Sequence, residues 1–486
     1  MSPRNRRQFI QHAVSSVAAL AASTFAGRST GSADPPMPSQ PVHPIESGSI
    51  QSLASKINGR LVTADGPDYE SARLVFNRAF DRHPALIIYC ASPSDVARGL
   101  EFARSAGLPI AVRGGGHNRA GLSTCDGGVV LDLSIMDQVT VNAAGRTARA
   151  GGGARTINLD SATQGVGLAT TSAGCPTVGL AGLTLGGGEG LLMSKHGAAC
   201  DNLISADLVT VDGHQIRVSP DDNAELFWAI RGGGGNFGIV TALEYRLHPI
   251  GEVLAGTLVY PDGRIPDLLR AFAKFVAESP DEMNVVGQVL PSPDGGRFHV
   301  LVCHCGDARS GNRLLAPLRA LHPKQDSVRA MPYLEANATI NPAAPAAHFQ
   351  TNVVLPDLSG RAIEAIATAV DGAPPGTRVF MVPIYGAVTR VPLNETAFPL
   401  RSFGYELDIM GRWAEPAGEA SAIQWVRRLR DLLQPMAHGT YVNQLGETSE
   451  ELVRRAYGSH YMRLAAIKKR YDPQNVLRSN QNIRPR

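Results

Sequence analysis

Several absences narrow the reading of this chain before any motif is considered. No apolar stretch is long enough to span a bilayer, which excludes a stable membrane anchor. No long basic run appears and the net charge is only +3, so nucleic acid is not an expected partner. Six cysteines, at 90, 125, 175, 200, 303 and 305, are too few and too scattered for a disulfide framework at this length. An exported chain could still oxidise one pair. Cys303-His304-Cys305 has no second ligand pair at finger-like spacing, so no metal is expected; the alternation around it fits ordinary core cysteines on a strand. There is no internal repeat. No glycine-rich loop ends in Gly-Lys-Ser/Thr, which excludes a nucleoside triphosphatase of the P-loop type.

What is present is glycine. The chain carries 51, and they cluster in motifs between 113 and 238. With 486 residues, 43% of them hydrophobic, it can bury a large core and divide into two or more domains. The first cluster, Arg113-Gly114-Gly115-Gly116-His117-Asn118 with Gly121 beyond, sits between apolar runs at 108–112 and 129–133 that read as strands. A strand, a glycine run and a strand turn backbone N–H groups toward an anion such as a diphosphate. His117 has no apolar neighbours in sequence; an exposed turn histidine and a ligand-facing one stand level on the motif alone. The second cluster runs from Ser172 to Gly190 and holds Gly174, Cys175, Thr177, Val178, Gly179, Gly182, Gly186, Gly187, Gly188 and Gly190. Ordering so much glycine costs chain entropy, so close backbone contact with a ligand is its natural reason. Cys175 lies on this loop rather than in an apolar periodic run, although a small buried thiol is the alternative. Gly197 and Asp201-Asn202 follow, leading into a strand over 203–211. The third cluster contains a literal GxGxxG at Gly233, Gly235 and Gly238. A dinucleotide fold of that type needs a strand before it and a helix after it. Here a helix-like segment precedes it and Ile239-Val240 begins a strand, so that reading fails.

Elsewhere the pattern is mixed. Residues 58–84 read as helix and loop, 85–90 as a strand, and Ser92 as the cap of a helix to Arg104. A helix is expected over Thr156–Gln164. Between about 250 and 435, strands at 253–260, 285–290, 298–303, 349–355 and 379–385 alternate with helices at 267–277, 361–370 and 418–433. That is an antiparallel sheet with helices on one face, an α+β layer. Along Arg401–Trp413 a period of two puts Phe403, Tyr405, Leu407 and Ile409 on one face and Glu406 and Asp408 on the other. The apolar face should pack on the helices and turn the carboxylates toward a cavity. Two solvated acids on an exposed edge are the competing reading.

The ordered set Arg113–His117, Gly174–Gly179, Gly186–Gly190, Asp201-Asn202, Leu226–Gly232 and Asn236–Val240, with Tyr441-Val442-Asn443 and 471–483 near the end, resembles the berberine-bridge-enzyme-like flavin oxidases of the vanillyl-alcohol-oxidase superfamily. The resemblance implies a PCMH-type FAD-binding domain over 49–250, a substrate domain over 251–435 and a C-terminal module over 436–486. It implies that the three glycine clusters, Gly238, Ile239, Val240, Tyr441 and Asn443 hold FAD. It further implies that His117 bonds the flavin 8α-methyl and Cys175 the ring at position 6, a neutral imidazole and a thiolate being the nucleophiles required. By the same resemblance Val178 would fall near the flavin edge that reacts with O2, and it is small enough to leave room for it, favouring an oxidase over a dehydrogenase. Relatives often place a tyrosine base after Tyr-x-Asn; here Gln444 stands there. The base candidates are then Asp408, Glu406, and Tyr385 or Tyr441, in that order. Glu189, where relatives often carry an aromatic or aliphatic residue, leaves the pocket shape open.

The N-terminus reads as an address. Arg6-Arg7 followed by Gln8-Phe9-Ile10, then a small-residue apolar run over 13–26, has the layout of a twin-arginine signal ending at Ala26 or Ala33, ahead of a disordered Pro/Ser-rich linker over 34–48. The expectation is an enzyme exported folded to the periplasm or beyond by the twin-arginine machinery. It would oxidise an alcohol, sugar hydroxyl or amine-bearing carbon of a small-molecule or oligosaccharide substrate, with O2 as acceptor and H2O2 as product. A dehydrogenase using a quinone is the alternative; a binding protein that has lost catalysis is the reading from another class.

Overall fold

The computed structural model describes residues 45–339 and 344–486. The export signal and its cleavage positions lie outside the described residues. The linker expected to reach 48 ends sooner, because helix Ser47–Ala54 already begins inside it.

Two sheets make the glycine-rich half. The first orders Arg60–Thr63, Leu86–Tyr89, Val129–Asp132 and Ile110–Arg113, the last three parallel to one another. Leu86–Ile88 and Val129–Leu131 are completely buried, as short continuous apolar runs in a parallel sheet require. The edge strand Arg60–Thr63 corrects the reading of 58–84 as helix and loop. It is four residues long with only Val62 buried, too short for its alternation to register. Ser92 caps helix Pro93–Ser105 through its hydroxyl, which accepts from the Asp95 N–H at 3.2 Å. The second sheet is antiparallel, in the order Val139–Asn142, Thr147–Gly151, Ile239–Arg246, Leu203–Val209, Gln215–Val218. The helix Ala224–Ile230 precedes the GxGxxG and the strand Ile239–Arg246 follows it, the reverse of a dinucleotide fold.

The other half is one antiparallel eight-stranded sheet, with Thr377–Ile384, Gly404–Trp413 and Ala347–Leu355 at one end. Helices Ile265–Ala277, Gly360–Val370 and Glu419–Leu433 cover one face. Phe272, Ile366, Val426 and Leu429 meet Tyr405, Leu407 and Ile409 there in a common core. Each such side chain contributes about 1.5–3 kcal/mol on burial. The alternation along Gly404–Trp413 therefore leaves Glu406, Asp408, Met410 and Arg412 on the opposite face. Phe403 does not join the helix-side core: it precedes the strand, is 43% exposed, and meets Tyr405 only edge-on at 5.7 Å.

The C-terminal segment returns to the glycine-rich half. Tyr441, Tyr457 and Leu464 share a core with Leu226, Phe227 and Phe237. Helix Tyr461–Tyr471 brings the fully buried Lys468 ammonium to Asp472 (2.6 Å), to the Asn236 carbonyl (2.8 Å) and to the Leu477 carbonyl (2.9 Å). This ammonium ties the third glycine cluster to the chain terminus.

Candidate active site

A cavity of about 400 Å³ runs between the glycine clusters and the open face of the large sheet. Its floor is backbone. Gly115 and Gly179, from the first and second clusters, approach so closely that a Cβ on either would fall 2.3 Å from the other's nitrogen. Gly116 takes a φ of +71°, open to glycine at little cost. Arg113 anchors the loop from behind. Its guanidinium contacts Asp132 at 3.1 Å and donates to the Ala72 carbonyl at 2.7 Å.

At one side stand the two predicted nucleophiles. His117 lines the cavity, its ring stacked on Phe76 at 3.9 Å and its Nε2 2.9 Å from the Thr177 hydroxyl. Burial, with Arg119, Arg155 and His348 nearby, pushes its pKa down to about 3, so the imidazole is neutral at working pH. Cys175 Sγ lies 3.5 Å from the same Thr177 hydroxyl. One threonine thus brings the imidazole and the thiol to one corner, on the strength of two loops held together by glycine.

Of the other predicted flavin residues, Gly114, Asn118, Val178, Gly182, Gly190, Gly238, Ile239, Val240, Tyr441 and Asn443 line the cavity. A second group stands behind the wall. Gly121 lies against Phe80, Gly186 against Asn443 and Gly187 against Phe398, while the Gly188 N–H donates to the Tyr441 hydroxyl at 3.0 Å. Gly197 packs on Asp201. Asp201 is taken up by an ion pair with Arg401 at 2.7 Å, and the Asn202 amide donates to the His196 and Ala198 carbonyls. These residues shape the loops rather than face the cavity.

The four base candidates separate clearly. Asp408 is buried, lines the cavity, and leaves Oδ1 without a partner. Burial raises its pKa to about 6 against the pull of Arg119 and Arg378. Glu406 is wholly buried one pleat beyond it, outside the cavity lining, with neither carboxylate oxygen hydrogen-bonded. Burial, then Glu189 and Asp408, hold it well above the usual carboxylate range. Tyr385 is misplaced by the sequence reading. It belongs to the helix-side core, where its hydroxyl donates to the Met283 carbonyl and burial raises its pKa. Tyr441 does face the cavity. Its hydroxyl accepts from Gly188 N–H and from the Asn443 amide (2.9 Å), and burial followed by the Glu189 charge pushes its pKa far up. It is a fixed hydroxyl, not a base at neutral pH.

Glu189 resolves its own departure. It lines the cavity with Oε1 unpartnered, and burial, followed by the Asp408 charge beside it, lifts its pKa, so the two carboxyls resist being ionised together. Residues not anticipated also line the space: Phe76, Arg119, His348, Arg378, Phe380 and Arg412. Gln444 does not reach for a proton; its Oε1 accepts from Arg119 Nε (3.2 Å) and from Gln350 Nε2 (2.8 Å).

The pocket fits FAD. A glycine floor admits a flat ring system and a backbone-bound diphosphate, a neutral imidazole and a thiol share one corner, and the buried Asn480 Oδ1 and Gln481 Oε1, on the lining, have no hydrogen-bond partner. Comparison with known proteins agrees. Residues 84–219 match the FAD binding domain family and residues 440–484 the berberine and berberine-like family. The chain is 32% identical over 455 residues to the (R)-6-hydroxynicotine oxidase of Paenarthrobacter nicotinovorans, covering 88% of this chain and 97% of that one. The solved 6-hydroxy-D-nicotine oxidase of Arthrobacter nicotinovorans superposes with a TM-score of 0.82 at 30% identity, over 88% of this chain and 98% of that one. A berberine-bridge-like protein of Physcomitrella patens gives 0.83 at 25%, over 90% and 99%.

Proposed function

The chain belongs to the berberine-bridge-enzyme-like FAD-linked oxidoreductases of the vanillyl-alcohol-oxidase superfamily, and from that premise we propose an oxidase that carries its flavin on both His117 and Cys175. It would take a hydride from a carbon bearing a hydroxyl or an amine, pass the electrons to O2, and release hydrogen peroxide. When bound, FAD supplies the two-electron acceptor. The observation that carries the reading is Asp408: a buried carboxylate on the cavity wall, with a free oxygen and a pKa near 6, ionised at neutrality yet able to take up a proton. Asp408 takes the proton of the substrate hydroxyl or amine as the carbon gives up its hydride. Glu189, protonated beside it, donates a hydrogen bond to the same group or to Asp408 and keeps the pocket from carrying two adjacent negative charges. Phe380 and Val382 on the neighbouring strand keep water off the reacting carbon.

Support for two covalent links is the shared Thr177 contact of His117 and Cys175 and the neutral state of the imidazole. Support for O2 as acceptor is the small Val178 on the cavity wall. Support for export is the Arg6-Arg7 pair ahead of a short apolar run. Acid precipitation tests the first: the pellet should stay yellow, and peptide mapping should find flavin on both residues. Anaerobic bleaching by a panel of sugars, alcohols and amines, followed by peroxide assay on readmitting air, tests the second. Bleaching with no peroxide would leave a dehydrogenase.

A further inference from the structure

The cavity has a second charged feature that proton transfer does not use. Arg378 stands opposite Met410 in the register between strands Thr377–Ile384 and Gly404–Trp413. Asp408 and Arg412 are therefore its two diagonal neighbours on the same face, each about 7 Å away between backbones. Arg119 reaches the same region from the loop that follows His117. All three arginines line the cavity. Their hydrogen bonds are to neutral groups: Arg119 to the Gln444 amide oxygen (3.2 Å), Arg378 to the Met410 sulfur (3.3 Å), Arg412 to the Ala344 carbonyl (2.9 Å). Arg378 Nε is buried with no partner.

Among the described residues the two buried arginines each face a carboxylate. Arg113 has Asp132 and Arg401 has Asp201. Among the described residues no carboxylate lies within ion-pair distance of Arg119, Arg378 or Arg412; after burial, Arg412 and Arg119 lower the pKa of Arg378 against the pull of Asp408, and Arg119 lowers that of Arg412, so three guanidiniums outnumber the one carboxylate that offsets them. A cluster of like charges around a cavity, held by amide, thioether and carbonyl acceptors, is costly unless an anion completes it. Gln444 gains a role here. Where the family places a tyrosine, this chain places an amide whose oxygen points Arg119 into the cavity.

We propose that the substrate is an acid: a sugar acid or other hydroxy acid whose carboxylate is seated on Arg119, Arg378 and Arg412 while its oxidised carbon lies at Asp408. This rests on the oxidase reading for the site and names its substrate class. The carboxylate forms no bond and loses no electrons. It orients the ligand, because planar guanidiniums take a carboxylate in paired hydrogen bonds. Arg378 is shared between the two ends, flanked by the base on one side and Arg412 on the other.

The test titrates the flavin-loaded holoenzyme with matched acids and neutral counterparts: glucuronate and glucose, galacturonate and galactose, mandelate and benzyl alcohol, with inorganic phosphate as a further arm. Binding is read from the flavin absorption difference spectrum without oxygen. At least one acid should bind about 10- to 100-fold more tightly than its neutral partner, and weaken with salt. In Arg378→Gln and Arg412→Gln that preference should fall by a similar factor, acid binding weakening far more than neutral binding; Arg378→Lys should restore part of it. If no acid binds better than its partner, or the variants weaken both alike, the assignment is overturned. Phosphate displacing the acids at equal concentration also overturns it, in favour of a phosphorylated ligand. Peroxide production from neutral sugars by a parent enzyme that prefers no acid would leave the oxidase standing and remove only the acid-binding claim. Acid binding that persists without any turnover would do the reverse.

Discussion

Lys468 and Asp408 are both ionisable side chains taken out of water, and the molecule treats them in opposite ways. The Lys468 ammonium is met by one carboxylate and two carbonyls, so every proton it carries is bonded. Asp132 with Arg113 and Asp201 with Arg401 also set a carboxylate against a buried cation, although Arg401 Nε is left without a hydrogen-bond partner. On the open face of the large sheet Asp408 and Glu406 are buried with free oxygens and the half-buried Arg378 keeps a free Nε, while the half-buried Glu189 in the second glycine cluster has one free oxygen. Matched charges hold the loops in place. Unmatched charges are left for whatever enters the cavity, and the fold stores their desolvation cost there.

The largest effect should come from removing the unmatched carboxylate that carries the chemistry. Asp408→Asn keeps shape and burial but cannot accept a proton. Reduction of the flavin by substrate, followed by stopped flow, should slow by about 10²–10⁴-fold with the flavin still attached. A drop under tenfold would move the base elsewhere and erase the distinction between the two kinds of buried charge.

The matched set predicts a different failure. Lys468→Met leaves Asp472 buried with only the backbone N–H groups of Val476 and Leu477, at 2.8 and 2.9 Å. Stability in urea melts should fall by about 3–5 kcal/mol, and with it the retention of Asn480 and Gln481 at the cavity, while any flavin that stays bound is reduced at the normal rate. A variant that melts like the parent but reacts slowly would show that the matched charges act in catalysis after all.

The pH dependence sharpens the contrast within the unmatched set. Asp408 must be ionised to act, so kcat/KM should rise roughly tenfold per unit up to about pH 6 and then level. A second inflection near 8 should mark ionisation of Glu189 beside it, and Glu189→Gln should remove that inflection and leave the lower one. Profiles of parent and variant that coincide above neutrality would separate Glu189 from the site.

How much of this was readable in the sequence follows from range. The glycine clusters were legible because a missing side chain is a local statement, and Gly115 against Gly179 is that statement made twice. The carboxylate face was legible because a strand has a period of two; Tyr405, Leu407 and Ile409 lie where alternation put them. The same period, carried two steps further, puts Arg412 on the same face as Asp408, and Arg378 interrupts an apolar strand, so two of the three arginines carry a local signal. Tyr385 is misplaced because it follows directly on the strand Thr377–Ile384, which has a core on one side and a cavity on the other, and sequence does not say which of the two the next side chain enters. Phe76 and His348 had no signal at all. They meet at 6.2 Å across more than half the chain, a contact only the assembled sheets define.

The cost of unmatched charge can also be tested directly. Glu406 is wholly buried and has its pKa raised well above the usual range, by burial first and then by Glu189 and Asp408. A group whose folded pKa is raised binds its proton more tightly folded than unfolded. Its contribution is therefore complete below the unfolded value, about 4.3, and is lost as pH rises toward the folded one. Glu406→Gln removes that dependence while keeping the size of the side chain. The variant should gain on the parent by up to about 1.4 kcal/mol for each pH unit above that value, from a starting point set by the amide's own unbonded N–H groups. Urea melts at pH 5 and pH 8 decide it: a difference between the two proteins that is the same at both would mean that Glu406 is solvated after all, and that the open sheet face stores less than its free oxygens imply.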